Sequence, residues 1–221
     1  DACKAIGAVY TFADGTQKQA ATMGEIGCTS FFPSKNLGCY GDGGAIFTND
    51  DELAAKMRAI ANHGMVMRYY HDTVGVNSRL DSIQAAVLDA KLPHLNEYIA
   101  ARQTAADYYD KAFAGNPHVL IPARSNNSTH VFHQYTLRLI DVDRDALRNA
   151  LAEAGIPAMI YYPVPLHMQK AYQDSRYQAG TFPVAERLAD CVLSLPMHTE
   201  LDEEQLAYIT EHVLQSLTAK H

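Results

Sequence analysis

The sequence has no block of basic residues. Its 18 Lys and Arg are outnumbered by 25 Asp and Glu, for a net charge of −7. Nucleic-acid binders carry a basic stripe, so no such partner is expected. No apolar run approaches the roughly 18 residues of a membrane span, and no signal-like N-terminus is present, so no membrane partner is expected either. The four cysteines, Cys3, Cys28, Cys39 and Cys191, lack any C-x-x-C spacing. They read as reduced thiols of a cytosolic protein, and the expected location is cytoplasmic. The ten histidines are scattered, with no helical His pair beside an acid, so no metal centre is expected. There is no internal repeat and no low-complexity tract. The chain also lacks an initial methionine: it opens on Asp1-Ala-Cys-Lys-Ala-Ile-Gly-Ala-Val-Tyr10, which reads as the middle of something, and an N-terminal portion is expected to be missing.

What is present suits an α/β architecture. The chain has 221 residues and is 48% hydrophobic, enough for a core in one or two domains. Ala5 to Tyr10 is a short apolar run, followed by a turn at Asp14-Gly15. Ile26 to Phe32 and Gly44 to Thr48 read as strands. Asn49-Asp50-Asp51-Glu52 starts a helix that stops at Asn62-His63-Gly64. Met65 to Gly75 reads as a polar, aromatic loop, in which His63 and His71 are taken as loop packing. Asn77 to Asp81 leads into a helix with Ile83, Ala86, Val87 and Ala90 on one face. A long helix is predicted from Pro93 to Phe113. Val131 to Leu139 alternates as a strand, Asp143 caps a helix to Ala154, and Ala158 to Tyr162 is a further predicted strand. Pro183 to Leu193 is helical, Ser194 to His198 extended, and a last helix runs from Asp202 to about Leu217. Helices and strands thus alternate.

Lys35 lies in the turn between the first two predicted strands, among glycines that let backbone approach a ligand. By itself it is either a surface charge or a covalent amine nucleophile. Two further residues join it: an acid at the end of an apolar segment, Asp1, and a hydroxyl five positions before the lysine, Ser30. Pyridoxal phosphate chemistry uses such a set. A lysine binds the cofactor covalently, a carboxylate keeps the pyridine nitrogen protonated, and hydroxyls with backbone amides hold the phosphate. Taken singly, Asp1 is any strand-end acid and Ser30 any half-buried strand serine.

Six segments occur in order: Asp1-Ala-Cys-x-Ala-x-Gly-Ala, Ser30-Phe-Phe-Pro-Ser-Lys-Asn-Leu-Gly, Gly41-Asp-Gly-Gly-Ala, Asn62-His-Gly64, Gly75-Val-Asn-Ser-Arg-Leu-Asp-x-x-Gln-Ala-Ala86 and Tyr162-Pro-x-Pro-Leu-His167. Together they resemble the DegT/DnrJ family of sugar-nucleotide aminotransferases over essentially the whole chain. The resemblance implies fold type I of the pyridoxal-phosphate-dependent transferases, the aspartate aminotransferase-like fold. Residues 1–98 would be the C-terminal part of an incomplete large domain and 99–221 the small α/β domain. It implies pyridoxal 5′-phosphate as cofactor, with Lys35 as the lysine that carries it and then moves a proton between Cα and C4′. Asp1 would pair with the pyridinium and Ser30 with the phosphate. Asn77 would reach the phosphate of a neighbouring subunit, which implies a homodimer with shared active sites. Tyr161, Tyr162 and His167 match the segment that contacts substrate. For Arg79 two readings stand, a place near the sugar-nucleotide or a structural ion pair. Lys4 occupies the position where the family usually has a glutamine on the cofactor ring, and no role is carried over to it. Family members also have an N-terminal phosphate turn and a stacking aromatic, which have no counterpart here.

The implied reaction transfers the amino group of L-glutamate to a keto-sugar nucleotide in cell-surface polysaccharide (lipopolysaccharide) precursor synthesis. The branch most resembled acts on UDP-linked 3-keto-N-acetylhexuronates, where Arg79 would meet the substrate carboxylate. Two alternatives stand beside it. In the related sugar dehydratases the lysine is replaced by histidine, against which Lys35 argues. An inactive fragment serving only as a dimerising scaffold is the other.

Overall fold

The computed structural model describes residues 1–218. The chain divides into two compact units, and the division falls within one helix. The first unit comprises Asp1–Ala100 with Ser125–His133, the second Ala101–Arg124 with Gln134 onward. The expectation placed a single boundary at residue 98; here the units divide after Ala100, and Ser125–His133 packs with the first unit. Its Thr129 N–H donates to the Val9 carbonyl at 2.9 Å, and the Thr129 hydroxyl accepts the Val9 N–H at 2.8 Å.

In the first unit, β1 (Val9–Thr11) and β2 (Gln17–Gln19) form a hairpin, turned at Gly15 with φ +84°. Next, β3 (Gly27–Ser30) pairs antiparallel with β4 (Gly44–Phe47). The first helix, α1 (Asp51–Ala61), starts where the acids predict, because Asp50 accepts the Glu52 and Leu53 amides at 2.9 and 3.0 Å. The expected loop from Met65 to Gly75 instead holds two short strands, β5 (Met65–Met67) and β6 (Tyr70–His71). Then follow α2 (Ser82–Lys91) and, after one 3-10 turn containing Pro93, the long α3 (Leu95–Phe113). Phe31, Leu37, Leu88, Leu95, Ile99 and Val131 form this unit's core. On α2 the expected face is only partly inside: Val87 packs against this core, but Ile83 is 74% exposed and the buried residue is Leu88. A short helix with apolar residues on several sides offers more than one stripe, and the packing of Leu88 beside Leu95 and Phe31 selects one.

In the second unit, β7 (Val119–Leu120), β8 (Tyr135–Leu139) and β9 (Val192–Leu195) make an antiparallel sheet in the order β7-β8-β9. The helices α4 (Arg144–Glu153), α5 (Pro183–Cys191) and α6 (Glu203–Thr218) complete it. The strand expected from Val131 begins only at Tyr135, since Phe132 has a positive φ of 41° that breaks the extended run. The strand expected over Ala158 to Tyr162 is reduced to a single bridge between Met159 and Ser194. Pro157 and Pro163 flank that stretch, and proline has no N–H for a ladder.

Candidate active site

The site is built around β3. Gly27 and Thr29 of that strand are buried, whereas Cys28 and Ser30 share the half-buried opposite face. Beside the strand runs Asp1-Ala2. The Ala2 N–H donates to the Cys28 carbonyl at 2.8 Å, and the Thr29 hydroxyl donates to the Ala2 carbonyl at 3.3 Å. This lays the Asp1 carboxylate along the Cys28 and Ser30 face: its Oδ1 lies 3.8 Å from Cys28 Sγ and accepts the Cys3 N–H at 2.9 Å.

After Ser30 the chain turns sharply, with the Lys35 N–H donating to the Phe32 carbonyl at 2.8 Å. The turn is fixed on every side. Buried Asn36 donates its side-chain amide to the Val131 carbonyl at 2.7 Å. The Cys39 N–H returns to the Phe31 carbonyl at 2.8 Å, and Lys91 Nζ donates to the Gly38 carbonyl at 2.6 Å. Gly38 is needed here because a Cβ would collide with the backbone oxygens of Phe32 and Pro33. That glycine therefore serves a close approach of backbone to backbone. Within this rigid frame the half-buried Lys35 side chain makes no hydrogen bond or ion pair among the described residues. The Ser30 hydroxyl accepts the Phe32 N–H at 3.3 Å and donates its own proton to none of the described residues. Asp1 Oδ2 likewise accepts nothing from the described residues. An amine, a hydroxyl proton and a carboxylate oxygen, all without competing partners, fit the needs of pyridoxal phosphate.

Asn77 and Arg79 occupy a different place. Both are exposed, and Arg79 Nε donates to Asn77 Oδ1 at 2.9 Å, leaving both Nη groups without an acceptor among the described residues. They line a cavity of about 1220 Å³ together with Thr29, Gly44, Thr48, Arg58 and Asn62. Asp1, Ser30 and Lys35 are not in the lining of that cavity. His71 Nδ1 binds the His63 carbonyl at 2.8 Å, as loop packing requires.

The second unit carries the remaining three residues. Tyr161 and Tyr162 are 37% and 62% exposed, with their rings 5.6 Å apart. The His167 side chain is only 8% exposed, and its Nε2 faces Glu186 Oε1 at 3.0 Å. Three of the residues that hold these groups, Asn36, Lys91 and Glu186, escape sequence reasoning. Asn36 adjoins the lysine, but its partner lies 95 positions away. Glu186 reads as an ordinary acid complementing the start of a helix.

Comparison with known proteins gives a consistent result. The profile of the DegT/DnrJ/EryC1/StrS aminotransferase family matches residues 1–214. The chain is 48% identical, over 89% of its length, to a UDP-N-acetyl-3-dehydro-alpha-D-glucosamine 3-aminotransferase of Acidithiobacillus ferrooxidans, of which 52% is covered. It is 44% identical, over 95% of its length, to a UDP-2-acetamido-2-deoxy-3-oxo-D-glucuronate aminotransferase of Pseudomonas aeruginosa, of which 55% is covered. The crystal structure of Streptomyces venezuelae DesV in complex with a ketimine intermediate superimposes with a TM-score of 0.91 at 38% identity. That match covers 100% of this chain and 57% of the other. The fold is thus α/β, fold type I of the pyridoxal-phosphate-dependent transferases. The chain spans about half the length of the curated relatives it matches.

Proposed function

Because the chain belongs to the DegT/DnrJ/EryC1/StrS aminotransferase family, we propose that the protein is a pyridoxal-phosphate-dependent aminotransferase. It takes the amino group of L-glutamate and places it on a UDP-linked 3-keto-N-acetylhexuronate, in cell-surface polysaccharide precursor synthesis in the cytoplasm. The observation that carries this reading is the Lys35 side chain, left without a partner in a turn that is otherwise pinned throughout.

When bound, the cofactor supplies an electron sink for the carbon that loses its proton. The chain's own residues do the rest. Lys35 Nζ would hold the cofactor covalently and, as a free amine, would take the proton from the amino-acid Cα. Asp1 accepts the pyridinium N–H and so keeps that proton in place, while Ser30 donates its hydroxyl proton to the phosphate. Asn77, exposed at the cavity it lines with Arg79, would donate to the phosphate held by a second copy of the chain, and the working form is a homodimer. Arg79 keeps its guanidinium fork open for the substrate carboxylate. Tyr161, Tyr162 and His167 contact the sugar-nucleotide.

The test is done on the intact protein. It should show a visible absorption band that borohydride reduction fixes onto the peptide containing Lys35, and Lys35→Ala should lose both band and turnover. Retention of both in the variant ends the proposal. Arg79→Met should penalise the uronate more than the neutral 3-keto-sugar; equal loss on both removes its carboxylate role.

A further inference from the structure

Glu186 sits in the first turn of α5, where Pro183 brings no N–H and the cap residue Phe182 offers no side-chain acceptor. Its carboxylate turns back on the preceding loop. Oε2 and Oε1 accept the Gly180 N–H at 2.8 and 3.0 Å, and Oε1 also accepts the Phe182 N–H at 3.1 Å and faces His167 Nε2 at 3.0 Å. The Gly180 amide first, with Phe182 and His167 adding to it against the opposing effect of burial, holds this carboxyl below the ordinary glutamate range. An ionised carboxylate only accepts, so the imidazole nitrogen that faces it carries the hydrogen. Phe182, tied to the same carboxylate through its own N–H, sets its ring edge-on to His167 at 4.9 Å. The imidazole is therefore fixed in orientation and in tautomer. In the neutral ring, Nδ1 is left as a lone-pair acceptor, and it binds nothing among the described residues.

We infer that Glu186 is a positioning residue for the sugar-nucleotide half of the reaction: it holds His167 as the Nε2–H tautomer, so that Nδ1 accepts a hydrogen bond from a hydroxyl or N–H of the substrate. This rests on the reading of His167 as a substrate contact. The residue does for an organic ligand what an outer carboxylate does for a metal-binding histidine, fixing which nitrogen is presented.

Two measurements on the intact protein test it. Nitrogen NMR of the His167 ring should find the Nε2–H tautomer in the wild type and a loss of that preference in Glu186→Gln, whose amide presents both a donor and an acceptor. An unchanged tautomer overturns the inference. In steady-state and half-reaction kinetics, Glu186→Gln should raise KM for the UDP-keto-sugar by about two- to tenfold, the scale of a hydrogen bond between neutral groups. The glutamate half-reaction and the visible cofactor band should not change. Combined with His167→Ala, Glu186→Gln should add no further loss; an additive loss makes Glu186 a plain loop clamp and overturns the inference. A wild type with the expected tautomer that binds no pyridoxal phosphate overturns the aminotransferase reading, and the substrate role of Nδ1 with it.

Discussion

Two strands of similar apolar character have opposite surroundings. In β8, Tyr135 and Leu137 are fully buried, because the strand is paired on both edges and α5 packs against it. In β4, Ile46 and Phe47 are 57% and 42% exposed, and the strand pairs with β3 alone among the described residues. Apolar, β-branched composition is enough to make an extended segment. Only a covering layer turns its side chains into core, and each fully covered aliphatic side chain is worth roughly 1.5–3 kcal/mol. The polar groups divide in a similar way. The Lys35 turn is held by its backbone and its neighbours while its amine has no partner among the described residues, whereas the Tyr161–His167 stretch has its histidine hydrogen-bonded to Glu186.

The largest effect that tests this contrast is on stability. Leu137→Ala should destabilise the second unit by about 2–5 kcal/mol through lost burial and a residual cavity. The matched change Ile46→Ala should stay within about 0.5 kcal/mol in this chain, since its side chain keeps more than half its surface in solvent. Urea-unfolding midpoints of the two variants check this, and equal shifts would erase the distinction. Next come the helix caps, one in each unit. Asp143 accepts the Asp145 and Ala146 amides at 3.0 and 2.9 Å, as Asp50 does at α1. Removing either by Asp→Ala should cost about 1 kcal/mol, by the same measurement, with similar values expected in the two units because capping is local.

The smallest expected effect is a pH dependence at the second region. The Glu186 carboxyl is held below its ordinary value of 4.5, first by the Gly180 amide and then by Phe182 and His167. A depressed folded-state pKa contributes stability that is fully present above the unfolded value and is lost as the pH falls through the folded one. The gap in unfolding midpoint between wild type and Glu186→Gln should be present at about pH 5 and close as the pH falls below 4.5. A gap independent of pH would detach Glu186 from any role as an ionised acceptor.

Much of the fold is readable without coordinates wherever the governing contact is short. The caps at Asp50 and Asp143, the turn at Gly15 and the stop at Gly64 each depend on residues within a few positions of one another. The order of motifs from Asp1 to His167 carries the family, and with it the assignment of Lys35, Asp1 and Ser30. The small hairpin of β5 and β6 is not readable, because its polar, aromatic residues lack alternation and strands of two or three residues give no period. Nor is the late start of β8 at Tyr135, which depends on the positive φ of Phe132.

Order along the chain and local chemistry are therefore enough to say that this is a fold-type-I aminotransferase-family chain and to single out Lys35 as the proposed reactive amine. They leave open which stripe of α2 goes inside, whether Ile46 is covered and what His167 touches. Each of those depends on side chains brought together from distant positions: Asn36 with Val131, 95 residues on, Lys91 with Gly38, 53 back, and His167 with Glu186, 19 on. Spacing in sequence bears no relation to such pairings, because burial and hydrogen-bond partners follow from which surfaces meet once the backbone has folded.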